Sequence, residues 1–147
     1  MIIPFYKIPF FKKNQWDSFR FQKIGRFIYQ VGKYLITAME FEFANNRIQK
    51  LCEKDNYAIK ELGIACARKL KARFSDIRAA TKVTELIVGD PHPLTGNRKG
   101  QFSVAIGEGN CIMFIPTNHP TPLIGKDKVD WSQVTQIKII DIGDYHD

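Results

Sequence analysis

The stretch "QFSVAIGEGNCIMFI", positions 101 to 115, contains two runs of alternating and β-branched residues around a short polar centre. "QFSVAI" and "CIMFI" have the composition of β-strands, and "GEGN" between them has the composition of a hairpin turn. The pattern therefore predicts a β-hairpin, around which an antiparallel sheet can form.

The segments on either side of this hairpin extend the predicted sheet. "EFEFA", residues 40 to 44, alternates acid and aromatic residues with period two, which predicts a half-buried strand. Downstream, "PTNHPTPLIGKDKVDWS" has three prolines and a charge cluster and predicts a long exposed loop. "VTQIKIIDI" then predicts a last strand, which ends beside Asp144, Tyr145 and His146.

Helical spacing dominates the region between the first strand and the hairpin. Asn45 or Asn46 offers an N-cap for a short helix that carries Ile48, Leu51 and Cys52 on one face. Apolar residues then recur at steps of three or four, which predicts one long amphipathic helix over residues 56 to 79. "TKVTELI" predicts a short helical turn. Helices would cover one face of the sheet and leave the other face free for a ligand.

Composition limits the class of protein. A chain of 147 residues fits one domain of ordinary size. Its three cysteines form no CxxC pair and lack metal-ligand spacing, which favours a reduced cytoplasmic protein and predicts no metal or other cofactor. The net charge of +7 is uneven, since residues 1 to 38 carry seven Lys/Arg against one acid and residues 39 to 147 carry fifteen against fourteen.

Residues 1 to 38 form a basic, aromatic-rich extension that differs from the rest of the chain. Its uncharged runs are too short to span a bilayer, and it has no signal-peptide pattern, so no membrane partner is expected. Three interpretations remain open. The extension could lie on a membrane surface or RNA, it could pack on the domain, or translation could begin at Met39.

Three histidines are available for chemistry, at positions 92, 119 and 146. His92 lies in the loop before the hairpin, and His146 follows the last strand, so both rings could reach one rim of the sheet and transfer protons. The alternative is a solvated turn residue and a mobile tail. The basic side of the long helix, with Arg68 and Lys71, is either a solvated surface or a phosphate contact.

Three separated blocks resemble the HigB-type toxins of the RelE superfamily. They are "MEFEFANNRIQKLCE" (39 to 53), "DPHPLTGNRKGQFSVAI" (90 to 106) and "VDWSQVTQIKIIDIGDYHD" (129 to 147). The resemblance covers residues 39 to 147 and none of residues 1 to 38. It implies an α+β fold, with a small, mixed and mostly antiparallel sheet and two main helices packed on one face.

The resemblance also implies a function. HigB-type toxins belong to bacterial toxin–antitoxin pairs and cut mRNA in the ribosomal A site without a metal. The RNA 2′-OH attacks the adjacent phosphate and leaves a cyclic phosphate. The implied partners are a helix-turn-helix antitoxin, the ribosome and mRNA, with operator DNA reached only through the antitoxin.

The same resemblance assigns roles to individual residues. His92 and His146 match the catalytic histidines, and Asp144 and Tyr145 match the acid and the tyrosine before the second histidine. Proton transfer and RNA positioning would fall to the two imidazoles, without a decision on which is the base. Tyr145 would hold the exposed nucleotide, and Asp144 would orient an imidazole. The residues expected to hold RNA phosphate are Arg98, Lys99, Lys71 and Arg68.

Two positions depart from the family pattern. Thr95 stands where the family usually has lysine, and Cys111 stands where it usually has arginine. Each lost cation would have faced the phosphate, and losing such a charge commonly slows a reaction about a hundredfold or more. The expectation is a weakened nuclease unless Arg98, Lys99 or Lys71 supplies the charge, and a gain in toxicity when Lys and Arg are restored at both positions. The alternative is a degenerate, non-catalytic toxin homologue that binds an antitoxin or the ribosome.

Overall fold

The computed structural model describes residues 21–23, 28–31 and 34–144. Tyr145 and His146 lie outside the described residues, as does most of the segment 1 to 38. Within that segment, three short strands form an antiparallel sheet in the order β1-β2-β3: β1 Phe21–Lys23, β2 Ile28–Val31 and β3 Tyr34–Thr37.

The main sheet has five strands in the order β4-β10-β7-β6-β5. The predicted hairpin is confirmed as β6 and β7, and the predicted first and last strands are confirmed as β4 and β10. β4 pairs with β10 in parallel, and every other pair in this sheet is antiparallel. The strands are β4 Glu40–Phe43, β5 His92–Pro93, β6 Phe102–Gly107, β7 Asn110–Pro116 and β10 Gln136–Asp144.

Three helices stand between β4 and β5: α1 Asn46–Glu53, α2 Asp55–Leu62 and α3 Ile64–Ala79. The Asn45 side chain caps α1 by accepting a hydrogen bond from the Ile48 amide at 3.0 Å. The prediction of one uninterrupted helix over residues 56 to 79 is wrong. Gly63 adopts φ +80° and ends α2, because this conformation suits glycine and cannot continue a right-handed helix. No described helix is long and apolar enough to cross a bilayer.

One face of the sheet forms the main core with the helices. The side chains from β6, β7 and β10 that point to this face are fully buried or nearly so, and they meet the buried face of α3. This packing holds α3 against the sheet, because burial of large aliphatic and aromatic side chains is the main favourable term in folding. The central members are Leu70, Ile77, Val104, Ile106, Ile112, Phe114, Ile137 and Ile139.

The second face of the sheet is not left free, which corrects the prediction made from the element order. A smaller apolar cluster of Leu94, Cys111 and Met113 is buried there, with Ile140 packed against it. Leu94 comes from the loop after β5, and its amide donates to the Gln101 carbonyl at 2.8 Å, so this loop folds back beside the strand. The exposed part of this face lies toward β4, where Lys138 pairs with Glu42 at 3.0 Å.

The predicted exposed loop between β7 and β10 contains structure of its own. β8 Leu123–Ile124 and β9 Lys128–Val129 form a two-stranded hairpin, and a short 3-10 turn follows at Trp131–Gln133. The Trp131 ring lies 4.8 Å from the ring of Phe102 and 6.2 Å from that of Phe114. Trp131 therefore packs this segment against the end of the main core.

Gly89 holds the loop before His92 against β6. Its carbonyl accepts from the Ala105 amide at 2.6 Å, and a Cβ added to it would lie 2.7 Å from the Ala105 carbonyl oxygen and 2.8 Å from Val104 Cγ1. Its φ of +89° is also unfavourable for a residue with a side chain.

Gly89→Ala is expected to lower the free energy of unfolding by about 3 kcal/mol, because backbone strain and a steric collision act together. Gly100→Ala is the matched control, since Gly100 has φ +88° but open space around its Cβ position, and should cost only about 1 kcal/mol. Urea unfolding measures both. Equal losses would show that the close approach at Gly89 does not constrain the loop.

Candidate functional site

His92 lies on the second face of the sheet, at its β5 edge. It pairs across the strands with Ser103, and Ser103 pairs in turn with Met113 on β7. Because paired residues point to the same side, the imidazole lies on the face that carries Met113. Its side chain is 40% exposed, so a ligand can reach the ring.

The backbone of the same loop fixes the imidazole. Nδ1 lies 2.7 Å from the Asp90 carbonyl oxygen, which can only accept a hydrogen bond, so Nδ1 carries the proton. In the neutral ring, Nε2 then has the lone pair and can accept a proton. The Asp90 carboxylate also lies near the ring, with Oδ2 3.6 Å from Nδ1. Asp90 adopts φ +46°, an unusual conformation for a residue with a side chain, which turns its carbonyl toward the ring.

Arg98 brings a guanidinium to the same face. Its Nη1 donates to Gln101 Oε1 at 3.2 Å and lies 3.6 Å from Met113 Sδ, so the side chain lies across β7. Met113 is two strand spacings from His92 in the register, so the backbones of these two residues are about 10 Å apart.

Ser103 lies between these two groups and was not predicted from the sequence. Its side chain is fully buried on the second face, and its Oγ has no hydrogen-bond partner among the described residues. Burying a hydroxyl without a hydrogen-bond partner lowers the stability of the fold, and this one lies beside His92. The sequence alone does not show that this serine, one residue of an alternating strand, has a buried and unpaired hydroxyl beside His92.

Asp144 is not close to His92. It ends β10 opposite Asn110, and its carboxylate lies beside Gly109 in the β6–β7 turn. β10 and β5 are three strand spacings apart, about 14 Å, and Asp144 is a further three residues along the sheet, about 10 Å. The residue of β10 that is level with His92 is Asp141. Asp144 therefore cannot orient the His92 ring directly, and any pairing with an imidazole would have to be with His146.

Of the other three predicted phosphate ligands, one is held in an ion pair beside the loop after β5 and two lie on the other side of the sheet. Lys99 forms an ion pair with Asp127 of the β8–β9 hairpin, and its hydrogen bond and charge hold the pKa of the Asp127 carboxyl below its ordinary value. Lys71 pairs with Asp55 at 2.6 Å in the helical layer, and Arg68 is an exposed residue of the same helix, α3. Since α3 packs on the main-core face, Lys71 and Arg68 lie on the opposite side of the sheet from His92.

The two departures from the family pattern lie in different surroundings. Cys111 is 7% exposed and belongs to the apolar cluster under the loop after β5. It lies on the same face of β7 as Met113, the residue that Arg98 contacts, so the Arg98 guanidinium lies close to the position of the missing arginine. Thr95 is exposed and begins the loop that carries Arg98.

A groove of about 1140 Å³ lies in the helical layer, away from His92, between the α1–α2 junction and α3. Lys71, Tyr57 and Phe74 line it. Cys52 also lines it, and burial raises the pKa of its thiol to about 12. Burial likewise raises the pKa of Cys66, so neither thiol is activated as a nucleophile. Among the described residues, no three His, Cys, Asp or Glu side chains cluster in a way that could hold a metal.

Comparison with known proteins gives no family assignment. No protein-family model matches the chain, and no curated protein matches it. Similar solved structures include a YoeB/ParE toxin from Agrobacterium tumefaciens, 12% identical with a TM-score of 0.44, over 74% of this chain and all of that one. YoeB from Staphylococcus aureus is 14% identical over 76% of this chain and all of that one, with a TM-score of 0.45 in its complex with YefM and 0.44 as a dimer. At these values the likeness carries no functional argument, which rests on the residues of the chain.

Proposed function

We propose that the chain is the toxin of a bacterial type II toxin–antitoxin system, a HigB-type, ribosome-dependent and metal-independent mRNA endonuclease that acts in the cytoplasm and arrests growth. Its antitoxin would be a helix-turn-helix protein, and operator DNA would be reached only through that partner. The toxin domain would be residues 39 to 147, and residues 1 to 38 would be either a basic, aromatic N-terminal extension or sequence upstream of a natural start at Met39.

One observation carries this proposal. The imidazole of His92 is exposed on the same sheet face as the Arg98 guanidinium, with Nδ1 held by a carbonyl and Nε2 left to accept a proton. A base and a cation on one face are what transesterification of RNA requires. The three sequence blocks that resemble HigB-type toxins provide the independent support.

The proposed reaction needs two proton transfers. One imidazole takes the proton of the ribose 2′-OH as its oxygen attacks the adjacent phosphorus, and the other donates a proton to the departing 5′-oxygen. The products are a 2′,3′-cyclic phosphate and a 5′-hydroxyl. His92 and His146 fill these two roles, and Arg98 stabilises the charge that develops on the phosphate oxygens. Tyr145 holds the exposed base, and Asp144 orients His146.

A specific observation favours a second candidate function. Cys111 is buried in an apolar cluster, so the arginine of the family pattern is replaced by a side chain that contributes no charge to the face. A degenerate toxin homologue that binds an antitoxin or the ribosome without cutting RNA would tolerate this replacement.

Inducible expression in a bacterial host separates the two candidates. Wild-type protein is expected to stop growth and shorten mRNA within translated reading frames, and His146→Ala is expected to lose at least about a hundredfold in cleavage, the usual contribution of a proton-transferring group. Co-expression of a neighbouring helix-turn-helix frame should restore growth. Arrest that persists in a variant lacking both His92 and His146 would support the binding module instead.

A further inference from the structure

A pocket of about 320 Å³ lies between the loop after β5 and the β8–β9 hairpin. Its size is at the lower end of the range for small-molecule sites. Its apolar lining comes mainly from Leu94, Val129 and Trp131, and Lys99, Asp127 and Lys128 provide the charged part of its wall. The sequence pattern did not indicate a site here, because the two segments are separated by about 30 residues in the chain.

Trp131 is held in place in this pocket by the protein core. Its ring packs against the rings of Phe102 and Phe114, and it is only partly buried. Asp130 fixes the turn that carries it, since the Asp130 side chain accepts from the Ser132 amide at 3.1 Å. An indole anchored in this way offers a rigid surface on which a planar aromatic ligand can stack.

The charge of the pocket suits an anion. Lys99 and Lys128 contribute two positive charges, and Asp127, which pairs with Lys99, contributes one negative charge. An aromatic surface beside excess positive charge is the combination that single-stranded nucleic acid requires, because bases stack and phosphates need cations.

The pocket adjoins the proposed catalytic group. Pro93 and Leu94, the two residues that follow His92, both line it. Thr95 lines it as well, and this is the position at which the resembled toxins carry lysine. Lys128 therefore supplies a cation to the same pocket wall from a different segment of the chain.

We propose that this pocket binds one nucleotide of the RNA substrate next to the cleaved phosphate. The base stacks on Trp131, and Lys128, assisted by Lys99, holds the backbone phosphate in place of the lysine absent at Thr95. Trp131 and Lys128 are positioning residues, and His92 remains the group that transfers the proton. The assignment of RNA as the ligand rests on the proposed function.

Fluorescence of Trp131 tests this proposal directly. The chain has two tryptophans, so the full chain with Trp16→Phe reports on Trp131 alone. The probes are a short, uncleavable 2′-O-methyl RNA and the same backbone without bases, titrated at about 50 mM salt. The RNA is expected to quench Trp131 saturably, and the abasic backbone is expected to bind more weakly and without quenching, because stacking needs a base.

Two charge variants complete the test. Lys128→Gln should weaken RNA binding about three- to tenfold and reduce the slope of affinity against salt by about one, as for the loss of one phosphate contact. Lys126→Gln, on the same hairpin but outside the pocket, should leave both unchanged. Asp127→Asn should tighten binding, since it releases Lys99 and removes a negative charge.

Absence of saturable quenching, or quenching that Lys128→Gln and Asp127→Asn leave unchanged, would overturn the proposal. This failure is distinct from failure of the proposed function. A nuclease that needs His92 but ignores Lys128 would retain the function and lose the pocket. RNA binding in the pocket without any cleavage would retain the pocket and lose the nuclease.

Discussion

His92→Ala is expected to reduce cleavage of translated mRNA by at least about a hundredfold and to abolish growth arrest, because a group that transfers a proton in the transition state usually contributes a factor of about 10² to 10⁴. The measurement is primer extension on a reporter mRNA in a translation extract, with equal amounts of folded protein. His92 is partly exposed at a sheet edge, so its loss should change the free energy of unfolding by less than about 1 kcal/mol.

His119→Ala is the matched control for this prediction. His119 is exposed in the loop after β7, three residues beyond Pro116, the last residue of that strand. The His119→Ala variant should cut mRNA and arrest growth as the wild-type protein does. Full activity of His92→Ala, or an equal loss in both variants, would contradict the assignment of His92.

Arg98→Ala is expected to slow cleavage about a hundredfold, since removing one preorganised positive charge at the reacting phosphate typically costs 10² to 10³ in rate. Arg98→Lys should recover part of this loss, because a lysine keeps the charge but not the planar, two-pronged geometry. Arg47→Ala, an exposed arginine on α1, is the matched control and should keep full activity.

A rescue variant distinguishes charge from loop structure. Arg98 contacts Met113, and Cys111 lies two residues away on the same face of β7, so an arginine at Cys111 can place its charge near the same phosphate. Cys111→Arg combined with Arg98→Ala should therefore be more active than Arg98→Ala alone. If the second change gives no recovery and Arg98→Ala also unfolds at lower urea, Arg98 acts through the packing of its loop.

Introducing the two cations that the resembled toxins carry, with Lys at Thr95 and Arg at Cys111, stays a prediction of increased toxicity. The structure shows which cations already lie near these two positions. Arg98 already lies close to Cys111, and Lys128 and Lys99 already line the pocket that Thr95 borders. Lys71 cannot fill either gap, because it pairs with Asp55 on the far side of the sheet. A small gain from the double restoration is therefore expected.

The strands could be predicted from the sequence because their signal is local. Alternation along β4 and the glycines between β6 and β7 depend only on neighbouring residues, and both predictions are confirmed. The break at Gly63 was missed because apolar residues keep their helical spacing on both sides of it, and the spacing does not report a positive φ at a single glycine.

The contacts around the site could not be predicted for a different reason. The Lys99–Asp127 ion pair joins residues 28 apart, and Arg98 reaches Met113 across the sheet, so both depend on how loops fold over strands. The sequence pointed to His92 as a group able to transfer protons. It gave no indication that the Asp90 carbonyl fixes the tautomer or that Ser103 is buried beside the ring.

The chemical ends of the cut mRNA test the central claim most directly. Wild-type protein, ribosomes and a defined mRNA are incubated with EDTA at a concentration that leaves the ribosomes intact, and the fragments are analysed by mass spectrometry. We predict a 2′,3′-cyclic phosphate on the upstream fragment and a 5′-hydroxyl on the downstream fragment, both absent with His92→Ala. Fragments that end in a 3′-hydroxyl and a 5′-phosphate, or uncut mRNA with the wild-type protein, would contradict it.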